Sequence, residues 1–531
     1  MTVVADTSRS VAAFRPEAVE RFRFTDLRVD AESGVVELCY ALDDTVSFCE
    51  RVELGSRLVD DDRLDAGFIR VARLLHLAAG TSYYKAAMCP RLVVETGSLS
   101  AIEREFCLDL YDKGLRELAW HNGLPLERRI TIDAPELLQG STEATARSSM
   151  AFPPARLGVP IGGGKDSAVV VEALRSQDPV LVSVNGHPAA RRVAEAAGLA
   201  LTVVRRRIDP VLFELNAAGA RNGHVPITAI VSLISVAAGF RVGYDTTVMA
   251  LEGSADEPTR TVAGDDPGEP AVTVNHQWSK SSEFEASLAR VLAASVGTGV
   301  HYRSALRGVG ELAIARCFAA LPQYHRAFLS CNRAFTRCGS DRWCGQCPKC
   351  RFVFLALATA MDPDQLVPIF GRDLLGDPEQ VDGFRDLLEE DRKPFECVGT
   401  RAESLVAFDR LAHRGPWRHA AVVQALAPVV TRLRSRADPG APGGAAPGST
   451  SGGAGASRRA LAGAADEPDE PDEPDDPASR LLDEVDAPEA AGDEDDPASR
   501  LLDEVRATVG CDLPTEGSRR EKIGPVAGAG R

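Results

Sequence analysis

The stretch from Leu157 to Ser167 constrains this chain most. Five residues, Leu157 to Ile161, read as a short apolar strand. Gly162-Gly163-Gly164-Lys165-Asp166-Ser167 follows, and a helix is predicted from Ser167 to Arg175. Glycines at a strand–helix junction let successive backbone N–H groups converge on an anion, and the helix amino terminus adds partial positive charge. Lys165 is suited to neutralise phosphate, Ser167 to donate to it, and Asp166 to position a cation. The loop is not a Walker A sequence, which needs Gly at position 159 (here Val159) and Ser or Thr at position 166 (here Asp166). It also lacks the glycine spacing of the dinucleotide-binding turn.

The pattern around this loop alternates. Strands are predicted at Val180–Val184, Leu201–Val204 and Thr247–Leu251. Helices are predicted at Ala189–Ala197, 227–241, 282–296 and 305–320. Such alternation implies an α/β fold with a doubly wound, mostly parallel sheet. Upstream, Phe22–Phe24 and Val35–Leu38 read as strands around the turn Asp30–Gly34, and 62–80 and 98–121 as amphipathic helices. The resulting organisation is a flexible amino terminus (1–19), an α+β domain (20–154), a nucleotide-binding domain (155–330), a Cys-rich and helical region (331–436) and a disordered tail (437–531).

The formal charge of −17 belongs mostly to that tail, which holds 22 acidic and 9 basic residues and leaves −4 for the first 436. A nearly neutral body has no basic stripe to neutralise a nucleic-acid backbone, so no nucleic-acid partner is expected. Met1–Pro16 has no secretory signal pattern, and the longest apolar run, Ile227–Phe240, is too short to span a bilayer. A cytoplasmic location without membrane contact is therefore expected. The tail is too poor in aromatic residues to offset ordering entropy. Its segment Asp475–Val485 recurs unchanged at Asp495–Val505, either as a duplicated solvating stretch or as paired docking helices for a protein partner.

Five of the 12 cysteines lie between Cys331 and Cys350. Cys344, Cys347 and Cys350 have the spacing to wrap one tetrahedral ion, with Cys331 or Cys338 as a fourth ligand. A ferredoxin-type run would need Cys at 354, which is Phe354. Structural zinc is expected, and metal in preference to disulfides.

The loop resembles the Ser-Gly-Gly-x-Asp-Ser signature of the PP-loop ATP pyrophosphatases, with Gly162 in place of the first Ser. The resemblance implies a PP-loop fold like that of the adenine nucleotide alpha hydrolases, with ATP bound by Gly162 to Ser167 and adenine met near Asn185. The cysteine cluster is similar to the zinc site of PP-loop nitrile synthases acting on deazaguanine. Their upstream Ser-Cys corresponds to Ser330-Cys331, which selects Cys331 as the fourth ligand.

Four further stretches narrow the family: Gly223–Ala229, Val274–Glu285, Ser330–Phe335 and Cys344–Phe354. Over about residues 20–430 the chain resembles the UDP-N-acetylmuramoyl-L-alanyl-L-glutamate epimerases of peptidoglycan synthesis. That resemblance implies adenylation of the terminal L-glutamate of the UDP-muramoyl dipeptide with ATP and Mg²⁺. Inversion at the α-carbon and hydrolysis to AMP and the D-glutamyl product then follow. An L-glutamate-adding muramoyl ligase is the implied functional partner. Candidate bases are His276, Lys280 and Glu283, with Cys317 as a further base or an ordinary core thiol. Glu252, Asp256 and Glu257 are candidates for Mg²⁺ or for a solvated turn. The alternatives are a nucleobase-modifying or RNA-thiolating PP-loop enzyme and a non-catalytic ATP-binding scaffold.

Overall fold

The computed structural model describes residues 14–55, 62–136, 156–263, 270–336 and 342–437. Cys338 and the tail repeats lie outside the described residues.

Ten strands form one sheet. They are β1 (Arg21–Asp30), β2 (Val35–Leu42), β3 (Val46–Glu53), β4 (Arg91–Val94), β5 (Thr131–Asp133), β6 (Leu157–Pro160), β7 (Val180–Val184), β8 (Leu201–Arg207), β9 (Thr246–Met249) and β12 (His301–Ser304). β10 (Arg260–Val262) and β11 (Val272–Val274) make a separate antiparallel hairpin. The order in the large sheet is β12-β9-β6-β7-β8-β3-β2-β1-β4-β5. The pairings from β12 through to β8 are parallel, those among β8, β3, β2 and β1 antiparallel, and β1-β4-β5 parallel again.

The β12-to-β8 half has the order of a doubly wound sheet, in which the chain reverses direction at its first strand, β6. The main helices are α1 (Asp62–Ala79), α2 (Ala101–Tyr111), α3 (Arg116–His121), α4 (Lys165–Leu174), α5 (Pro188–Ala197), α6 (Ile227–Val242), α7 (Ser282–Ser295), α8 (Glu311–Ala319), α9 (Pro348–Ala358), α10 (Arg401–His413) and α11 (Ala421–Ala437). Strand alternation sends Leu181 into a core with α4, α5, α8, α9 and α10, and Val182 into a second core with α1, α6 and α7. Helices thus cover both faces.

The two regions read from sequence on either side of residue 154 share this sheet. β3 pairs with β8 through Val52 opposite Arg206, and the buried Arg206 Nη2 donates to Glu50 Oε2 at 2.8 Å across the junction. From α6 the buried Arg241 donates to the carbonyls of Ala31, Glu32 and Gly55, tying this helix to the β1–β2 and β3 turns.

Two expectations are corrected. The helix predicted over 98–121 is two, because the turn Lys113–Leu115 interrupts it before α3. The helix predicted over 305–320 starts at Glu311, after the polar four-residue strand β12, which is held by parallel pairing to β9. Away from the cysteine cluster, Cys39 and Cys49, directly opposed on β2 and β3, are disulfide-bonded. Among the described residues no helix is long and apolar enough to cross a membrane.

Candidate functional site

Ligands of open α/β sheets bind beyond the carboxyl ends of the strands where the strand order reverses. The loop after β6 occupies that place. Gly163 has φ +94°, and a Cβ there would meet the Ala189 carbonyl carbon at 2.4 Å, so both conformation and space demand glycine. Leu329 N donates to Gly163 O at 2.8 Å. Gly164 caps α4 with no side chain capping the helix amino terminus, which leaves that end available to an anion.

A cavity of about 390 Å³ opens there. Its polar wall includes Gly162, Gly164, Asp166 and Ser167, and its apolar wall includes Val182, Val184 and Ile227. Lys280 also faces it. The volume suits a small organic ligand.

Two residues expected at this ligand are engaged elsewhere. Lys165 is not on the cavity wall. As the first residue of α4 it is fully buried, with its ammonium bound by Asp166 and by Glu311 of α8. Asn185 is not on the wall either. It takes a left-handed backbone (φ +60°), and its side-chain oxygen accepts from Arg206 N at 2.8 Å, which ties the turn after β7 to β8. Burial pushes Glu311 up to about 7, against the pull of Lys165 and with the push of Asp166 and Glu252. Glu311 Oε1 has no hydrogen-bond partner.

The loop from Val274 onward brings two of its three candidates inward. Lys280 reaches the cavity, and His276 lies behind it, its ring 4.3 Å from that of His224. Glu283 is not with them. At the start of α7 it is half-exposed, binding Lys113 and accepting from Trp278 Nε1 at 3.1 Å. Of the carboxylates expected at Mg²⁺, Asp256 Oδ1 accepts from Ser282 N at 2.7 Å and Glu257 is paired with Lys393 and Arg401. Glu252 alone is buried and within electrostatic reach of Lys280. Cys317 is fully buried in the core of α8.

Sequence reasoning missed Glu117 and Cys397. His276 Nδ1 lies 2.5 Å from Glu117 Oε2 on α3. Burial alone would lower His276, but its bonds to Cys397 and Glu117 outweigh that and hold it at about 9. His224 is lowered to about 3 by burial and by the neighbouring His276 and Lys280, and so stays neutral. Glu117, His224 and His276 lie close enough together to suggest a metal site.

The four sulfurs of Cys331, Cys344, Cys347 and Cys350 form a second group, with contacts of 3.4, 3.7 and 4.0 Å. Tetrahedral Zn–S bonds of about 2.3 Å place sulfurs about 3.8 Å apart, so these thiols can hold a metal such as zinc. Cys350 N donates to Cys347 Sγ at 3.4 Å, the kind of N–H bond that steadies a thiolate ligand.

Comparison with known proteins shows the family. The family described as MurL N-terminal domain matches residues 13–305, across both halves of the sheet, and MurL C-terminal domain matches 327–439. A protein of a Micromonospora species named UDP-N-acetyl-alpha-D-muramoyl-L-alanyl-L-glutamate epimerase is 44% identical over 429 residues, covering 78% of this chain and 91% of its own. Proteins of the same name from Salinispora tropica and Xanthomonas oryzae pv. oryzae are 43% and 40% identical, covering 77% and 78% of this chain and 88% and 90% of theirs. No solved structure matches the chain.

Proposed function

Because the chain belongs to the family of UDP-N-acetyl-alpha-D-muramoyl-L-alanyl-L-glutamate epimerases, we propose that it inverts the terminal L-glutamyl residue of that UDP-muramoyl dipeptide for peptidoglycan synthesis, at the expense of ATP. The observation that carries the ATP part is the cavity at the strand reversal. It joins an uncapped helix amino terminus to an apolar slot on one side and to Lys280 on the other.

The chemistry explains why both are needed. A free carboxylate resists loss of its α-proton, because the resulting dianion is poorly stabilised. Attack of that carboxylate on the α-phosphorus of ATP, with pyrophosphate leaving, gives an acyl adenylate whose carbonyl accepts the electrons as an enolate. Gly162, Gly164 and Ser167 would receive the phosphates, and Val182, Val184 and Ile227 the base. Mg²⁺ would be held by oxygen ligands, for which Asp166 on the wall and the buried Glu252 are the fitting carboxylates, and it would neutralise phosphate charge. Hydrolysis of the inverted adduct then yields AMP and the D-glutamyl product. Zinc at the four cysteines would be structural, since its ligands leave no open position.

The test is pyrophosphate release by purified protein with ATP and Mg²⁺. Release should require the UDP-muramoyl dipeptide and be weak with free L-glutamate, whose lack of the remote nucleotide-sugar forfeits positioning energy. Equal release with both, or none with either, overturns this reading.

A further inference from the structure

The ATP reading takes Ile227 from the stretch Gly223–Ala229 and Lys280 from Val274–Glu285, and leaves the histidine of each without a role. His224 lies just before α6 and His276 just after β11, with their ring centroids 4.3 Å apart. Glu117 of α3 joins them. Its Oε2 is 2.5 Å from His276 Nδ1, and one ligand atom from each of the three residues lies within 4.8 Å of the other two. Glu117 is buried and both histidines are half-buried.

Packing fixes this meeting. A Cβ on Gly223 would meet Leu118 Cγ at 3.3 Å, so glycine lets the segment before α6 lie against the residue that follows Glu117. A Cβ on Gly114 would meet Pro226 Cγ at 3.0 Å, which seats the turn before α3 against the same segment. Arg116 Nη1 donates to Thr273 O at 3.3 Å and fastens α3 to β11. His276 N donates to Thr259 Oγ1 at 3.3 Å, and Asn275 Nδ2 donates to Ala255 O at 2.8 Å. An ordinary ion pair accounts for Glu117 and His276. It leaves His224 converging on the same point, although its ring nitrogens make no hydrogen bond among the described residues.

We propose that Glu117, His224 and His276 bind one divalent transition-metal ion of the zinc class, separate from the metal of the four cysteines and from the Mg²⁺ of the nucleotide. Two imidazole nitrogens and a carboxylate oxygen suit zinc, whereas Mg²⁺ prefers oxygen alone. Tetrahedral bonds of about 2.0–2.1 Å set ligand atoms about 3.3–3.4 Å apart. That spacing lies between the 2.5 Å of the closest pair and the 4.8 Å that bounds the set. On binding, the proton between Glu117 and His276 leaves to solvent and the two side chains part by about 1 Å to admit the ion. Three protein ligands leave a fourth position open for water or a ligand oxygen. Lys280, four residues beyond His276, faces the nucleotide cavity, so its ammonium and the ion together favour an anionic oxygen there, a carboxylate or a phosphate. The site stands independently of the epimerase reading.

The experiment compares the full wild-type chain with His224→Ala and Glu117→Gln. Each protein is dialysed against zinc and then against zinc-free buffer containing Mg²⁺. Elemental analysis should find about one zinc fewer per chain in either variant, with circular dichroism unchanged. X-ray absorption at the zinc edge should show nitrogen or oxygen at about 2.0–2.1 Å beside sulfur at about 2.3 Å in the wild type, and sulfur alone in the variants. Equal zinc content in wild type and folded variants overturns the proposal. Where neither variant folds, the wild-type spectrum decides: the outer-shell scattering of imidazole supports the site, and a shell of sulfur alone overturns it.

Discussion

Replacing Lys165 by Met should cost more stability than its place in a ligand-binding loop suggests. Its ammonium lies between two carboxylates, Asp166 and Glu311, and both Lys165 and Glu311 are fully buried. Removing one partner of a buried ion pair leaves uncompensated charge and costs about 3–5 kcal/mol. At about 2 °C per kcal/mol for a large domain, Tm should fall by about 6–10 °C. The cost should depend on pH. Glu311, already raised by burial above its ordinary 4.5 to about 7, goes higher without Lys165. A carboxyl whose folded pKa is raised costs stability above its unfolded value and stops doing so below it, so the deficit should shrink as pH falls from 8 towards 5. Scanning calorimetry of wild type, Lys165→Met and Lys165→Met/Glu311→Gln at both pH values measures this, and the double variant should recover part of the loss. A Tm equal to wild type at pH 8, or a deficit that grows on acidification, would refute the buried-triad reasoning.

Cys344→Ser should lose metal and soluble folded protein together, because structural metal contributes folding energy; elemental analysis alongside circular dichroism checks this. Removing residues 440–531 should leave kcat unchanged, since the family match ends at 439; steady-state assay of the truncated chain decides.

The sequence exposes what is locally encoded. The strand, three glycines and helix from Leu157 to Leu174 are contiguous, so one reading of this stretch locates both the sheet reversal and the anion-ready helix end. The cysteines 344, 347 and 350 carry their geometry in their spacing. Glu117, Glu311 and Cys397 carry no such mark. Each is a single ionisable residue in an ordinary segment, and Glu117 meets His276 across 159 positions only once α3 packs against the loop after β11. The same limit hid where side chains turn. Lys165 and Asn185 sit in the right loops, but burial against α8 and a left-handed turn direct them to structural partners. The continuity of the sheet across β3 and β8 was equally invisible, because antiparallel pairing of strands far apart in sequence leaves no periodic trace in either.

The central claim is coupling of ATP cleavage to inversion, and one reaction tests it. The full chain is incubated in D₂O with ATP, Mg²⁺ and UDP-N-acetylmuramoyl-L-alanyl-L-glutamate, and the terminal glutamyl residue is then released for chiral and mass analysis. The account predicts D-glutamate carrying one solvent deuterium at the α-carbon, with AMP formed in proportion. AMP formed beside unchanged, undeuterated L-glutamate would contradict it.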